Sequence, residues 1–218
     1  MRTLVFTSLL LFAFMSVSCQ QKGETYTIET SLGNIKVKLY DNTPLHKENF
    51  EKLVSEHFYD GVLFHRIIQD FMIQTGNGAT KNAKAGRGSA EVEGPDYTVP
   101  AEFVPEYFHK KGALAAARTG DAVNPEKRSS SCQFYIVQGH TYTDTELDRM
   151  EEQTQIKYSD FQRGVYKTMG GTPFLDQAYT VFGEVVQGLD IVDKIAAVPT
   201  GVGDWPQADV RILRIVKN

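Results

Sequence analysis

Cysteine is scarce in this chain, with two in 218 residues. One of them, Cys19, sits in the leader discussed below, so Cys132 stands alone and no internal disulfide is expected. The fold must then be held by an apolar core rather than by cross-links. The five histidines at 46, 57, 65, 109 and 140 are scattered. A zinc site needs several Cys or His ligands at close spacing, so no metal site is expected. A clustered excess of Lys and Arg is missing as well. The 23 basic residues are outnumbered by 27 acidic ones, and the net charge is −4. The one basic stretch, 81–87, has no interleaved aromatics. This balance excludes a nucleic-acid surface. No internal repeat is visible, and no run approaches the ~20 apolar residues of a membrane span. What remains is an ordinary soluble composition, 41% hydrophobic and 23% charged. That suffices for one domain with a sizeable core plus an insertion.

The first residues read separately. Arg2 is followed by nearly unbroken apolar sequence over 4–17, too short to span a bilayer and typical of a signal peptide. Ser16-Val17-Ser18-Cys19 resembles a bacterial lipobox, whose cysteine becomes the lipidated first residue; Ser16 stands where Leu is usual. The expectation is a signal peptide over 1–18, a lipid on Cys19 with a tether to 24, and one domain over 25–218. Ordinary cleavage near Ser18, leaving a plain thiol, is the alternative. The lipid reading places the chain on the periplasmic side of a bacterial envelope, at the outer membrane.

Within the domain, Tyr26, Ile28 and Thr30, then Ile35, Val37 and Leu39, alternate with polar residues around Ser31-Leu32-Gly33-Asn34. This predicts a β-hairpin. Thr43-Pro44 opens a helix over 44–56, with Leu45, Phe50, Leu53, Val54 and His57 near one face. Strands are expected over 62–68, 71–75, 112–117, 133–138, 179–186 and 208–216, and a second helix between Gly188 and Pro199. Residues 76–100 read as a long loop, often a sign of function. Many short strands with two helices predict a mainly β fold, a closed eight-stranded antiparallel barrel capped by two helices. The polar segment 144–172 reads as an inserted helical arm, broken near 154–157, that covers part of the barrel. Leu147, Met150, Tyr158, Phe161, Val165 and Met169 form its stripe. Nothing demands more than a monomer.

The chemistry lies in Phe64-His65-Arg66-Ile67-Ile68-Gln69-Asp70-Phe71-Met72-Ile73-Gln74-Thr75-Gly76. This run resembles the signature of the cyclophilin-type peptidyl-prolyl isomerases. Three further blocks resemble the family in its order. They are 112–117, then Ser131-Cys132-Gln133-Phe134-Tyr135-Ile136, then Phe174-Leu175-Asp176 followed by Tyr179-Thr180-Val181-Phe182-Gly183. The resemblance covers about 25–216, with 144–172 outside the minimal family fold.

The resemblance implies acceleration of X–Pro bond rotation in exported proteins without metal or cofactor. Arg66 would carry the catalysis. Phe71, Met72, Tyr135 and Leu175 would wall a slot for the proline ring; taken singly, each reads as core. His65, Gln74, Ala117, Arg118, Gln133, Phe174 and Tyr179 would bind or orient substrate. Several positions depart from the family. Tyr135 stands for Phe, and its hydroxyl needs a partner. Phe174 stands for Trp and loses the indole N–H. Tyr179 stands for His. Arg118 stands for Asn and would add positive charge to the groove. Cys132 with His65 fits no nucleophile elbow. The alternative is a binding protein or chaperone of the same fold with little isomerase activity.

Overall fold

The computed structural model describes residues 24–83 and 91–218. The expected signal peptide, Cys19 and the tether up to residue 23 lie outside the described residues, as do 84–87 of the basic stretch. Among the described residues no helix is long and apolar enough to cross a membrane.

Strands β1 (Thr25–Thr30) and β2 (Gly33–Leu39) form the expected hairpin, with Ile28 opposite Ile35 and Tyr26 opposite Val37. Alternate residues face the interior, as the period of two requires. Helix α1 (Pro44–Ser55) follows, then β3 (Arg66–Ile68), β4 (Met72–Thr75), β5 (Thr98–Val99), β6 (Ala113–Ala116), β7 (Ser129–Ser130) and β8 (Phe134–Val137). Helices α2 (Asp144–Thr154) and α3 (Asp160–Thr168) precede β9 (Val181–Gln187), α4 (Leu189–Ala196) and β10 (Ile212–Lys217). Eight strands form one antiparallel curled sheet in the order β10-β1-β2-β9-β6-β8-β4-β3; β5 pairs with β7 apart from it.

The expected barrel is therefore not fully closed. Strand β3 is shorter than the predicted 62–68, and β10 starts later than 208. The residues between meet as a seam rather than a ladder. Leu63 bridges Arg211, Phe64 N–H donates to the Val210 carbonyl at 2.8 Å, and Ile212 N–H donates to that of Val62 at 2.9 Å. Arg211 fastens the seam further through Nη1, which donates to the carbonyls of Gly61 and Lys81.

The main core fills the concave face of the sheet. Ile28, Ile35, Val37, Leu114, Phe134 and Ile136 meet Phe50 and Leu53 of α1 and Val192 and Ile195 of α4. The inward face of α1 is His46, Phe50 and Leu53, at the i, i+4, i+7 spacing of one helical stripe. Leu45 is exposed and His57 lies past the helix end, which corrects the predicted face. Thr43 precedes α1 without a side-chain cap. Glu102 supplies that cap from elsewhere, accepting from the N–H groups of Leu45 (3.1 Å) and His46 (3.0 Å) and from His46 Nδ1 (2.6 Å). A carboxylate there suits both the unsatisfied N–H groups and the helix dipole.

The arm is two helices, each opened by a capping box: Thr143 with Glu146, and Ser159 with Gln162. Gln155, left-handed at φ 61°, ends the first. The break falls where the sequence placed it. The stripe is only partly right: Leu147, Tyr158 and Tyr166 are buried with Phe108 and Tyr142 in a small separate core, while Phe161 and Met169 are exposed. Arg163 ties the helices together through Asp144, Asp148 and Glu151.

Leu147 is fully buried at the centre of this core. Leu147→Ala is expected to cost about 2–5 kcal/mol. Denaturant unfolding should show this as one earlier, cooperative transition. A separate first transition would mean that the arm folds independently of the sheet.

Candidate active site

The register of four strands places the site. Arg66 of β3 lies opposite Gln74 of β4, Gln74 opposite Tyr135 of β8, and Tyr135 opposite Ala115 of β6. Cross-strand partners share a face of the sheet. The neighbours Ile73, Leu114, Phe134 and Ile136 belong to the inner core, so this row faces outward. Both faces of β6 and β8 are covered, and every residue of these strands is buried. The outer face carries a second apolar cluster containing Met72, Ala113, Ala115, Ala117, Tyr135 and Val181. Alanines here leave a hollow beside the larger walls.

The hollow is an open-mouthed pocket of about 90 Å³. Arg66, Phe71, Met72, Gln74 and Ala117 line it, together with Arg118, Tyr135, Leu175 and Tyr179. Nine of the twelve substrate-site residues expected from the sequence thus meet in one place. Phe71 arrives through the β3–β4 turn, whose Asp70 is left-handed at φ 61°. Leu175 comes from the 3₁₀ turn Pro173–Leu175. Phe174 does not line the pocket. It is 44% exposed and packs on Phe71 with ring centres 5.6 Å apart, extending the apolar rim.

His65 and Gln133 stand just behind. Gln133 Oε1 accepts from Gln74 Nε2 at 3.0 Å and lies 3.1 Å from His65 Nε2. Because that oxygen only accepts, His65 carries its proton on Nε2. Its Nδ1 is buried without a hydrogen-bond partner among the described residues. Gly76, left-handed at φ 94°, runs against the backbone of Cys132 and Gln133. A Cβ there would collide with that backbone, so glycine permits the approach that brings Gln74 to Gln133.

Arg66 meets neither glutamine. Its Nε donates to Asp204 at 3.2 Å, and its guanidinium carbon lies 5.9 Å from the Phe71 ring centre. Both partners are partly open to solvent, at 42% and 44%. Such a pair adds little stability but fixes a direction for the fork of donors. Asp204 was missed by sequence reasoning. It sits in an unremarked glycine-rich turn 138 positions away, and only the fold brings it to β3.

A model of the cyclophilin-type peptidyl-prolyl cis-trans isomerase family matches residues 25–217. The chain belongs to this family. A Staphylococcus aureus protein provisionally named a peptidyl-prolyl cis-trans isomerase is 34% identical over 88% of this chain and 91% of its own length. Its Staphylococcus saprophyticus counterpart, named in the same way, is 33% identical over 85% and 87%. A Streptococcus pyogenes protein, provisionally named a bifunctional phosphatase/peptidyl-prolyl cis-trans isomerase, is 36% identical, and this chain spans only 38% of its length. A solved cyclophilin-type isomerase of Cryptosporidium parvum shares the fold at 22% identity, with a TM-score of 0.63 over 89% of this chain and 97% of that one.

For this cyclophilin-type chain, Arg118 needs a correction. Its side chain is only 5% exposed. Nη1 donates to Asp121 (2.6 Å) and the Thr119 carbonyl, Nε donates to the Ala178 carbonyl, and the guanidinium stacks on Tyr179 at 4.5 Å. The charge is paired, and Nε and Nη1 of the planar fork are engaged. Arg118 is a wall of the pocket and adds no free positive charge to the groove.

Burial lowers the pKa of His65 to about 4, against the opposing effect of its bond to Gln133. An unfolded histidine titrates near ~6.5. Between those values the unfolded chain holds the proton and the folded chain does not. Stability therefore falls as pH drops from about 6.5 to about 4, and this contribution is complete above that window. In His65→Gln, the stability deficit relative to wild type should be smaller at about pH 5 than at about pH 7.5. Equal deficits in denaturant unfolding at both pH values would mean that His65 is not held neutral by the fold.

Proposed function

We propose that Arg66 accelerates X–Pro rotation by donating to the prolyl nitrogen while the ring sits in the adjoining slot. The observation that carries this reading is the convergence of the partly open Arg66 guanidinium and the side chains of Phe71, Met72, Tyr135 and Leu175 on one small pocket. An amide resists rotation by ~18–20 kcal/mol because of C–N double-bond character. Twisting localises the nitrogen lone pair. A donor aimed at that nitrogen stabilises the twisted state and not the planar one, which lowers the barrier selectively. No nucleophile, proton relay or cofactor enters the step. The pocket is small beside the ~300–1,000 Å³ of sites for larger ligands, in keeping with a single five-membered ring held against Phe71, Met72, Tyr135 and Leu175.

Asp204 holds Arg66 in this scheme, while Gln74 and Gln133 serve the substrate backbone. A structure of the Cryptosporidium relative was solved in the presence of the dipeptide Ala-Pro, and proline-containing segments are the substrates proposed here. Their source is exported protein. The apolar leader and Ser16-Val17-Ser18-Cys19 support export and a lipid on Cys19, on the periplasmic side of a bacterial envelope at the outer membrane.

Arg66→Ala should lower isomerisation of an Ala-Pro peptide by at least about tenfold, a barrier change of ~1.4 kcal/mol, with the circular dichroism of the folded chain retained. An unchanged rate would remove Arg66 from the mechanism. A folded wild type without turnover would favour the binding role instead. For the anchor, Cys19→Ser expressed in a Gram-negative host should lose fatty-acid labelling and leave the membrane fraction. Retention of both would overturn the lipid assignment.

A further inference from the structure

Tyr135 presents its ring to the slot, yet its hydroxyl is turned to the interior. The hydroxyl lies 2.9 Å from His109 Nε2. His109 Nδ1 is 2.8 Å from Asp176 Oδ1, which also accepts from the His109 backbone N–H at 2.8 Å. Asp176 Oδ2 accepts from the hydroxyl of Tyr166 at 2.6 Å. All four residues are at least nine-tenths buried. Tyr166 belongs to α3 of the inserted arm and is packed edge-on by Phe108 and Tyr158. A continuous buried chain of hydrogen bonds thus runs from the insertion to a wall of the proline slot.

We propose that the inserted arm positions the Tyr135 wall through Asp176 and His109, and so sets how tightly the slot takes proline. The directions of the bonds follow from the donors available. A carboxylate accepts only, so His109 gives its Nδ1 proton to Asp176 and offers Nε2 to the Tyr135 hydroxyl. Burial pushes the pKa of both tyrosines well up, keeping each hydroxyl a donor. With a neutral imidazole the order is Tyr135 to His109, His109 to Asp176, and Tyr166 to Asp176. Linked bonds in a dry interior strengthen one another, and a half-satisfied network is costly. If the Tyr166 hydroxyl is lost, Asp176 keeps a buried oxygen without its donor. Its adjustment shifts the imidazole, loosens its bond to the Tyr135 hydroxyl and lets the Tyr135 ring move against the slot. Tyr166, Asp176 and His109 are positioning residues, since none of them lines the pocket.

This proposal rests on the reading of the pocket as the proline slot. The test compares Tyr166→Phe with wild type, and Tyr135→Phe/Tyr166→Phe with Tyr135→Phe, by KM and kcat on an Ala-Pro peptide and by NMR titration of the same peptide. Tyr166→Phe keeps the ring and removes only the hydroxyl. It should raise KM and Kd about fivefold, the scale of one lost hydrogen bond, with kcat nearly unchanged. In the Tyr135→Phe background it should change neither. A purely structural role would lower stability alike in both backgrounds and leave KM alone. Unchanged KM and Kd in the Tyr166→Phe single variant overturn the proposal, as does an equal rise in both backgrounds. Should Tyr166→Phe not fold, His109→Asn carries the same comparison: it keeps a donor toward Asp176 but is too short to reach Tyr135. An inactive wild type would sink the isomerase reading, while the Kd values would still decide the relay.

Discussion

The pairing register of β3, β4, β8 and β6 is the constraint on which the rest depends. Side chains alternate across a strand, so a slip of one residue exchanges the two faces. In the observed register Ile73, Phe134, Ile136 and Leu114 fill the concave core, and Arg66, Gln74, Tyr135 and Ala115 line up outside. Stability of the inner core and assembly of the outer site are one choice. Any sequence change that pulls the inner residues inward sets the outer row automatically.

Around that row, polar groups are satisfied locally and at long range in different ways. Arg118 pairs its charge locally with Asp121, and donates to the nearby Thr119 carbonyl and to the Ala178 carbonyl 60 positions away. Arg66 reaches across the sheet edge to Asp204 and stays partly open to solvent. Two arginines at one pocket thus have opposite characters. The buried one behaves as a wall with its charge paired to Asp121. The open one keeps donors for a ligand. His109 and His46 follow a third pattern, each held between a carboxylate and a hydroxyl in the interior.

Much of this was legible in the chain itself. Alternation located β1 and β2, the Pro at the first turn opened α1, and the break in the arm fell near Gln155. The run from Phe64 to Gly76 pointed to Arg66, Phe71 and Met72, and the later blocks to Tyr135 and Leu175, all of which line one pocket. Less was legible where two distant segments meet. The spacing of Leu45 and His57 misplaced the face of α1, because the helix ends at Ser55 and packing buries His46, Phe50 and Leu53 instead. The barrel reads as closed from strand count, yet its seam depends on how Leu63 and Arg211 come together. The free charge expected at Arg118 vanished because the loop after β6 folds Asp121 back onto it.

By itself, the sequence determined the family, the eight strands of the main sheet with their helices, and the residue types at the site, because these rest on local periodicity and on an uninterrupted motif; the short β5–β7 pair fell in stretches read as loops. Tertiary structure alone decided which face of β6 and β8 carries the pocket, since a strand buried on both sides has no alternation to read. It also decided that Asp204 meets Arg66, and that Tyr166 reaches Tyr135 through Asp176 and His109. Those contacts join residues from separate elements, and their geometry exists only once the sheet has curled and the arm has packed against it.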